Sequence, residues 1–227
     1  MIKVTWLGHS AVKIEGSKTI YIDPFIMGNP ACSCTLDDIK KADMVFVTHY
    51  HDDHVGDAFF ICQKTGATLI AIHEIAVEAT ELGITAEGMN IGGTVTVENV
   101  KFNMVSALHS AKKGTPAGIV IEIDGSCIYH AGDTGLTYDM KLVGEFFKPD
   151  LSLLPIGDRF TMGIASAAKA VEYTQTRRVV PIHYNTFEPV NADPQAFKDK
   201  VGSLAEVIIL KPGESYELKT DKAVSSN

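Results

Sequence analysis

The sequence predicts an α/β fold in which a pair of mixed β-sheets is covered by helices. Three observations predict it. The first third of the chain packs short β-branched runs close together, as hairpins do, which points to antiparallel pairing. Later, single strands alternate with helical stretches, over 151–154, helix, 178–181, helix, 207–210, and sheets covered by helices accommodate both rhythms. The notable histidines and aspartates fall where strands end, the usual position of sites in layered α/β folds.

Taken in order, strands are predicted over 2–7, 11–15, 19–22, 44–48, 68–72, 94–97, 100–106, 117–123, 126–131, 151–154, 178–181 and 207–210. Helices are predicted over 36–41, 55–64, 74–82, 136–147, 164–175 and 194–201. The helix from Ile164 follows Gly163 and carries Ala165, Ala168 and Val171 at helical spacing. That from Pro194 has Asp193 as its N-cap and proline at the first helical position. No linker or low-complexity stretch interrupts the 227 residues, so one domain over 1–227 is expected.

Apolar residues make up 45% of the chain, enough for a sizeable core, which excludes disorder. A net charge of −8 and a pI of about 5.4 set up a field that repels a phosphate backbone. The basic pairs Lys40-Lys41, Lys112-Lys113 and Arg177-Arg178 read as solvated surface, so no nucleic-acid partner is expected. The opening Met1-Ile2-Lys3-Val4-Thr5-Trp6 reads as a strand rather than a secretion signal, and no apolar run approaches membrane-spanning length. A cytoplasmic location without membrane association is expected; self-association is left open. Cys32-Ser33-Cys34 is the one suggestive cysteine spacing among four cysteines. These two read as free loop thiols rather than a metal site, in a turn-rich stretch with no helical or basic setting to activate them for catalysis.

The chemistry is concentrated in Asp43-Met44-Val45-Phe46-Val47-Thr48-His49-Tyr50-His51-Asp52-Asp53-His54. A buried-type strand runs into three histidines and two aspartates within six positions. In extended backbone, residues i and i+2 point the same way, so His49 and His51 converge on one ion. A helix is expected to begin at Asp53-His54-Val55, turning Asp53 and His54 toward a second ion. Burying such a group without a cation would strand polar atoms and charges. Imidazole and carboxylate suit zinc, manganese or iron, with zinc placed first.

His49-x-His51-x-Asp53-His54 matches the HxHxDH signature of the metallo-β-lactamase superfamily, and the chain resembles that family along nearly its whole length. The resemblance implies a four-layer αβ/βα sandwich. It implies that His49, His51 and His109 hold one metal, that Asp53, His54 and His183 hold a second, and that Asp133, in His130-Ala131-Gly132-Asp133-Thr134-Gly135, bridges the two. Trp6-Leu7-Gly8-His9-Ser10, Ile22-Asp23-Pro24-Phe25, Gly28-Asn29-Pro30 and Pro155-Ile156-Gly157 look like the branch of metal-dependent hydrolases related to ascorbate phosphate lactonases. Flavodiiron oxidoreductases resemble this site but carry Glu where His51 stands.

Two divalent ions of this kind would lower the pKa of a bound water toward ~7 and set a hydroxide against an ester, lactone or phosphodiester bond of a small-molecule substrate, anionic or not. Asp53 is expected to orient the water as well as ligate, and His9 to contact substrate or leaving group beside the metals. A compact metal-dependent ribonuclease or phosphodiesterase, and a non-catalytic metal-binding protein on the same fold, are the alternatives. Asp23 reads equally as the orienter of a ligand histidine and as a turn cap. His130 reads as packed or as a support to the ligands, and His73 as a surface residue at a helix start. Arg159, in the stretch before the helix at Ile164, reads equally as an anion-binding group and as a surface ion-pair partner. Ser10, Ser106 and Ser110 lack the Gly-x-Ser-x-Gly setting of a serine nucleophile.

Overall fold

The structure, a computed structural model, describes residues 1–219. Two seven-stranded sheets are formed among them. The first contains β1 (Ile2–Gly8), β2 (Ala11–Glu15), β3 (Thr19–Ile22), β4 (Met44–Val47), β5 (Thr68–Ile72) and β6 (Ala86–Met89). The second contains β7 (Thr94–Val97), β8 (Val100–Ser106), β9 (Ala117–Ile123), β10 (Ser126–His130), β11 (Leu151–Pro155), β12 (Arg178–Ile182) and β13 (Glu206–Val207). The chain then returns to the first sheet as β14 (Ser215–Leu218), which lies beside β1. The helices are α1 (Asp52–Val55), α2 (Ala58–Thr65), α3 (His73–Glu81), α4 (Met140–Phe146), α5 (Ile164–Thr174) and α6 (Pro194–Val201).

Both sheets follow one plan. From β14 through β1 and β2 to β3 the pairing is antiparallel, and from β3 to β6 it is parallel. From β7 to β10 the pairing is antiparallel, and from β10 to β13 parallel. Parallel strands need crossover connections, which lay helices on the sheet and bury the strands on both faces. Accordingly β4 is buried at all four residues, and so are β10 and β11 along their lengths. Helices α2 and α3 pack on the parallel half of the first sheet, and α5 packs on β11 with α4 and α6 beside it. Phe46 of β4 and Phe102 of β8 stack with ring centroids 6.3 Å apart, joining the sheets through the core.

The sandwich of two mixed sheets flanked by helices is the expected fold class, and the exceptions are local. Strands β6 and β14 were not expected: Ala-Glu-Gly-Met and Ser-Tyr-Glu-Leu are short, partly exposed sheet edges without an apolar run to mark them. The strand expected over 207–210 is only Glu206–Val207, where β13 ends the second sheet. The expected helix over 36–41 is a single 3-10 turn at Leu36–Asp38, held by the Asp38 carboxylate accepting from the Thr35 amide and hydroxyl. The expected helix over 136–147 starts late, at Met140, because 136–139 form a loop in which Asp139 accepts from Ser106.

The largest departure bears on the site. The expected helix over 55–64 is two helices, α1 and α2, broken at Gly56 and Asp57. Gly56 adopts φ 41°, and a Cβ there would sit 2.7 Å from the Pro24 carbonyl oxygen. The Asp57 carboxylate accepts from the amides of Ile26 and Met27 at 2.9 and 2.8 Å. The break pins the loop after β3 against α1, which leaves α1 as one turn standing over the strand ends.

Candidate metal centre

Three strands end in a residue forced into left-handed backbone: His9 after β1 (φ 55°), Asp23 after β3 (φ 45°) and His183 after β12 (φ 54°). For a residue with a Cβ this costs roughly 1–2 kcal/mol. In each case the strained residue turns sharply out of its strand and takes its place in the histidine–aspartate cluster. The chain does not run on extended past β4, contrary to the i, i+2 expectation: it bends at His49, Tyr50 and His51, with the His51 amide donating to the His49 carbonyl at 3.1 Å, and returns to φ −120° and ψ 155° at His51. The helix therefore begins at Asp52, one residue before the expected start, and α1 presents Asp53 and His54 from its first turn.

Two groups of donor atoms result. His49, His51 and His109 bring their ring nitrogens together, with His49 Nε2 only 2.9 Å from His51 Nδ1. Two imidazole nitrogens that close need a shared proton or a shared cation. Asp53, His54 and His183 form the second group, and His9 joins it. Between the groups lies Asp133: its Oδ2 is 3.0 Å from His183 Nε2, 3.3 Å from His54 Nε2 and 3.6 Å from His109 Nε2. All seven positions named from the sequence meet in one place, with Asp133 central among them.

The support beneath them is a hydrogen-bonded set on Asp23. Its fully buried carboxylate accepts from His54 Nδ1, the Thr48 amide and the Thr48 hydroxyl, each at 2.7 Å. Thr48 Oγ1 in turn accepts from His49 Nδ1 at 2.9 Å. One carboxylate thus fixes the ring orientation of His54 directly and of His49 through Thr48, leaving both Nε2 atoms aimed into the cluster. Asp23 is therefore the orienter of a ligand-type histidine rather than a turn cap. His130 is fully buried, donates from Nε2 to the Ser10 carbonyl at 3.0 Å and accepts from the Gly132 amide at 3.1 Å. It ties the turn that carries His9 to the turn that carries Asp133.

The electrostatics follow from burial and from these partners. Burial pushes His49 down to about 2 and His9 down to about 4, so both rings are neutral at pH 7. Burial also lowers His109 and His130. At His54 burial acts the same way, but Asp133 and Asp23 on either side outweigh it and raise its pKa well above the ordinary value. Burial would raise Asp133, yet His54 and His183 hold it well below the usual carboxylate range. Asp53 is likewise lowered: burial opposes, and the His9 bond with the neighbouring imidazoles prevails.

Among the described residues, Asp133 Oδ1 is buried without a hydrogen-bond partner, and His54 Nε2 has no well-formed hydrogen bond, only the 3.3 Å approach of Asp133 Oδ2. Orphaned donor atoms of this kind, in a set of imidazoles and carboxylates, fit divalent cations of the zinc, manganese and iron type.

His9, 1% exposed, is held at both nitrogens: Nε2 donates to Asp53 Oδ2 and Nδ1 accepts from Thr186 Oγ1, each at 3.0 Å. Its carbonyl accepts from the His183 amide at 2.9 Å and from Trp6 Nε1 at 2.8 Å. Gly157, in the Pro155-Ile156-Gly157 stretch, lies against His183 so closely that a Cβ would meet the His183 carbonyl oxygen at 2.2 Å.

A cleft of about 320 Å3 opens over the cluster. Its floor is His9, His51, Asp53, His109, Asp133 and His183, and Phe160, Phe187, Pro189 and Val190 form an apolar wall. Arg159 does not line it; the guanidinium is exposed and lies 5.6 Å from the Phe160 ring. The start of α5 is occupied by the chain itself, with Ser166 Oγ accepting from the Gly163 amide and the Asp158 carboxylate packed against Gly163. Ser110 lines the cleft, whereas Ser10 is buried and Ser106 is bonded to Asp139. His73 is exposed at the start of α3, as expected.

Sequence reading missed Thr48, Thr186 and the aromatic wall. Thr48 carried a faint signal, as the one polar residue closing an apolar strand directly before His49. Thr186 and Phe187 carried none, since their role depends on a loop folding back over the site.

Two mixed sheets with a histidine–aspartate cluster at their strand ends define the class: a metallo-β-lactamase fold. The family model described as a Beta-lactamase superfamily domain matches residues 18–184, and the chain belongs to that superfamily. Within it, the chain belongs with the UPF0173 metal-dependent hydrolases. It is 49% identical to the member from Methanosarcina barkeri, over 96% of this chain and 99% of that protein. To the member from Thermococcus onnurineus it is 52% identical, over 96% of this chain and 100% of that protein. Among solved structures it is similar to Igni18, a metallo hydrolase of the hyperthermophilic archaeon Ignicoccus hospitalis, with a TM-score of 0.91 and 43% identity. That match covers 96% of this chain and 99% of the other.

Proposed function

We propose that the protein is a hydrolase that holds two divalent ions and cleaves the ester or lactone bond of a small molecule with an apolar body. The observation that carries this reading is the composition of the cleft. Its floor offers ligands for ions, its wall is aromatic and aliphatic, and among the described residues neither Lys nor Arg lines it. A volume of about 320 Å3 falls at the small end of ligand sites. Phosphodiester substrates would bring anionic groups to a wall that offers them no cation. Lys112 and Lys113 are engaged instead with Asp52 and Glu78, at 2.7 and 3.0 Å.

In this reading His49, His51 and His109 would hold one ion and Asp53, His54 and His183 the other, with Asp133 placed to serve both. Ions bound there would acidify water and polarise the scissile carbonyl. Asp23 and Thr48 keep the rings of His54 and His49 turned toward the ions. His9, neutral and bonded at both nitrogens, holds Asp53 in place rather than donating a proton to the leaving group. Phe160 and Phe187 bind the apolar part of the substrate and exclude water from the floor.

The test is elemental analysis of protein purified without chelator, followed by turnover of aryl esters, aliphatic lactones and a bis-aryl phosphodiester. Two ions per chain, and esters or lactones cleaved at least about tenfold faster than the phosphodiester, are expected. Absence of metal after metal-replete growth refutes the centre, and a preference for the phosphodiester refutes the substrate class. His9→Ala is expected to lose about 10–100-fold in activity or metal affinity, the usual cost of losing a residue that positions a ligand. A loss nearer 10³–10⁴ with both ions retained and one limb of the pH–rate profile abolished would make His9 a proton-transfer group instead.

A further inference from the structure

We infer that Cys32 and Cys34 form a reversible oxidation site: a dithiol that reduces low-molecular-weight disulfides and closes a disulfide within its own loop. Ser33, between them, packs the other way, toward Gly213, where a Cβ would meet Ser33 Oγ at 2.6 Å. Cys32 and Cys34 therefore share one side of the loop, and their sulfurs lie 3.3 Å apart. A disulfide needs about 2.05 Å, so closure requires a small rotation of two side chains and no rearrangement of elements. Cys32 Sγ also lies 3.6 Å from the Cys34 carbonyl oxygen, so the Cys32 side chain already leans toward residue 34.

Access and reactivity separate this pair from the other cysteines. Cys32 and Cys34 are half-buried and reachable, whereas Cys62 and Cys127 are buried at 2% and 4% exposure. The Cys34 thiol hydrogen bond lowers Cys32 to about 7, and the same contact pushes Cys34 up. One sulfur is thus a ready thiolate near neutral pH while its neighbour keeps the proton, the division of labour that thiol–disulfide exchange uses. The sequence expectation that these thiols are not catalytic for hydrolysis is untouched, since neither lines the metal cleft.

Cys32 thiolate attacks one sulfur of the small disulfide, forming a mixed disulfide and releasing one small thiolate. Cys34, deprotonated as it reacts, attacks the Cys32 sulfur and releases the second. The two protein thiols lose two electrons and two protons, and the small disulfide becomes two thiols. A dithiol reductant reverses the sequence.

The experiment treats the full-length protein with excess 2-hydroxyethyl disulfide, quenches with acid, and reads intact mass and a peptide map. Wild type is expected to become two hydrogens lighter, without adduct, with the bond mapped between Cys32 and Cys34. Cys34→Ser is expected to stop at one mercaptoethanol adduct on Cys32, and Cys34→Ala gives the same reading should the serine variant misfold. In the untreated wild type, where both thiols are present, limiting iodoacetamide at pH 7 is expected to label Cys32 about tenfold faster than Cys34. A wild-type protein that keeps a stable adduct, or whose Cys32 and Cys34 both remain alkylatable after treatment, overturns the site. Equal labelling of the two cysteines in the wild type overturns the assignment of Cys32 as the attacking thiol.

Discussion

The two sheets share a plan but supply the site differently. The first sends four site residues, His49, His51, Asp53 and His54, through one short passage at the end of β4. The second sends His109, Asp133 and His183 singly, after β8, β10 and β12. Local density makes the first set self-evident, because six residues cannot hide three imidazoles and two carboxylates in a core. Each member of the second set, taken alone, is an ordinary polar residue at a strand end. The support beneath them divides in the same way. Asp23, Thr48 and His54 form a closed hydrogen-bonded unit within the first sheet, whereas Asp133 has no partner in its own turn and rests against rings from both sheets. One half is built to orient, and the other to bridge.

Replacing Asp133 tests that division most severely. Asp133→Ala leaves His54, raised in pKa and fully buried, facing an empty position. Loss of one partner of a buried ion pair costs about 3–5 kcal/mol, and the chelated variant should show that loss in urea unfolding. Metal content should fall for both ions. A variant that keeps one full equivalent would show that Asp133 serves a single ion and that the two halves do not divide orienting from bridging.

Asp23→Ala acts within the first half and should be milder, about 10–100-fold in metal affinity, because the ligand-type residues all remain. Competition with a chromogenic chelator measures it. A change as large as that of Asp133→Ala would erase the distinction between orienting and bridging carboxylates.

The pH dependence of the metal-free protein sharpens the comparison further. His9 and His49, both from the first sheet, are held neutral down to about 4 and about 2 in the fold, whereas the unfolded chain protonates histidine near 6.5. Below that value the unfolded state binds protons that the folded state refuses. Stability should therefore fall as pH drops from about 6.5, by up to about 1.4 kcal/mol per pH unit for each histidine. His54 has the opposite sense: its raised pKa contributes stability fully present below about 6.5 and lost as pH rises through the folded value. Asp133, with its lowered pKa, contributes stability above about 3.8 that is lost as pH falls through its folded value. Urea midpoints of chelated protein between pH 4.5 and 8.5 should rise from the acid side and turn over. A flat profile would contradict the burial assigned to His9 and His49.

The smallest expected effect lies outside both halves of the site. Arg159 is exposed and turned to Phe160 rather than into the cleft, so Arg159→Ala should change kcat/KM by less than about twofold on an uncharged ester. A drop of more than about tenfold, roughly 1.4 kcal/mol, would place it on the substrate.

The sequence made most of this legible for reasons that can be named. Strand interiors such as Met44-Val45-Phe46-Val47 are uniformly apolar because parallel strands are buried on both faces, and such runs stand out. What escaped was edge and turn. The edge strands β6 and β14 lack that signal, and the break at Gly56 depends on how closely Pro24 approaches. In the site, His49 to His54 could be read from spacing alone, and the distant residues only through resemblance to a family. Thr186, which bonds His9 across 177 positions, had no local mark at all.

One consequence lies in the order in which the chain is made. Strand β1, whose end carries His9, takes its outer neighbour from β14, and Thr5 meets Ser215 at 2.9 Å across 210 positions. During synthesis from the N-terminus, the outer edge of β1 has no intramolecular partner until nearly every other described strand has emerged. Such long-range closure slows folding and leaves a bare strand edge open to pairing with a neighbouring nascent chain. The Lys211–Glu214 turn, in which Gly213 donates to the Trp6 carbonyl and the Glu214 carbonyl accepts from the Trp6 amide, is therefore the clasp that ends this vulnerable interval.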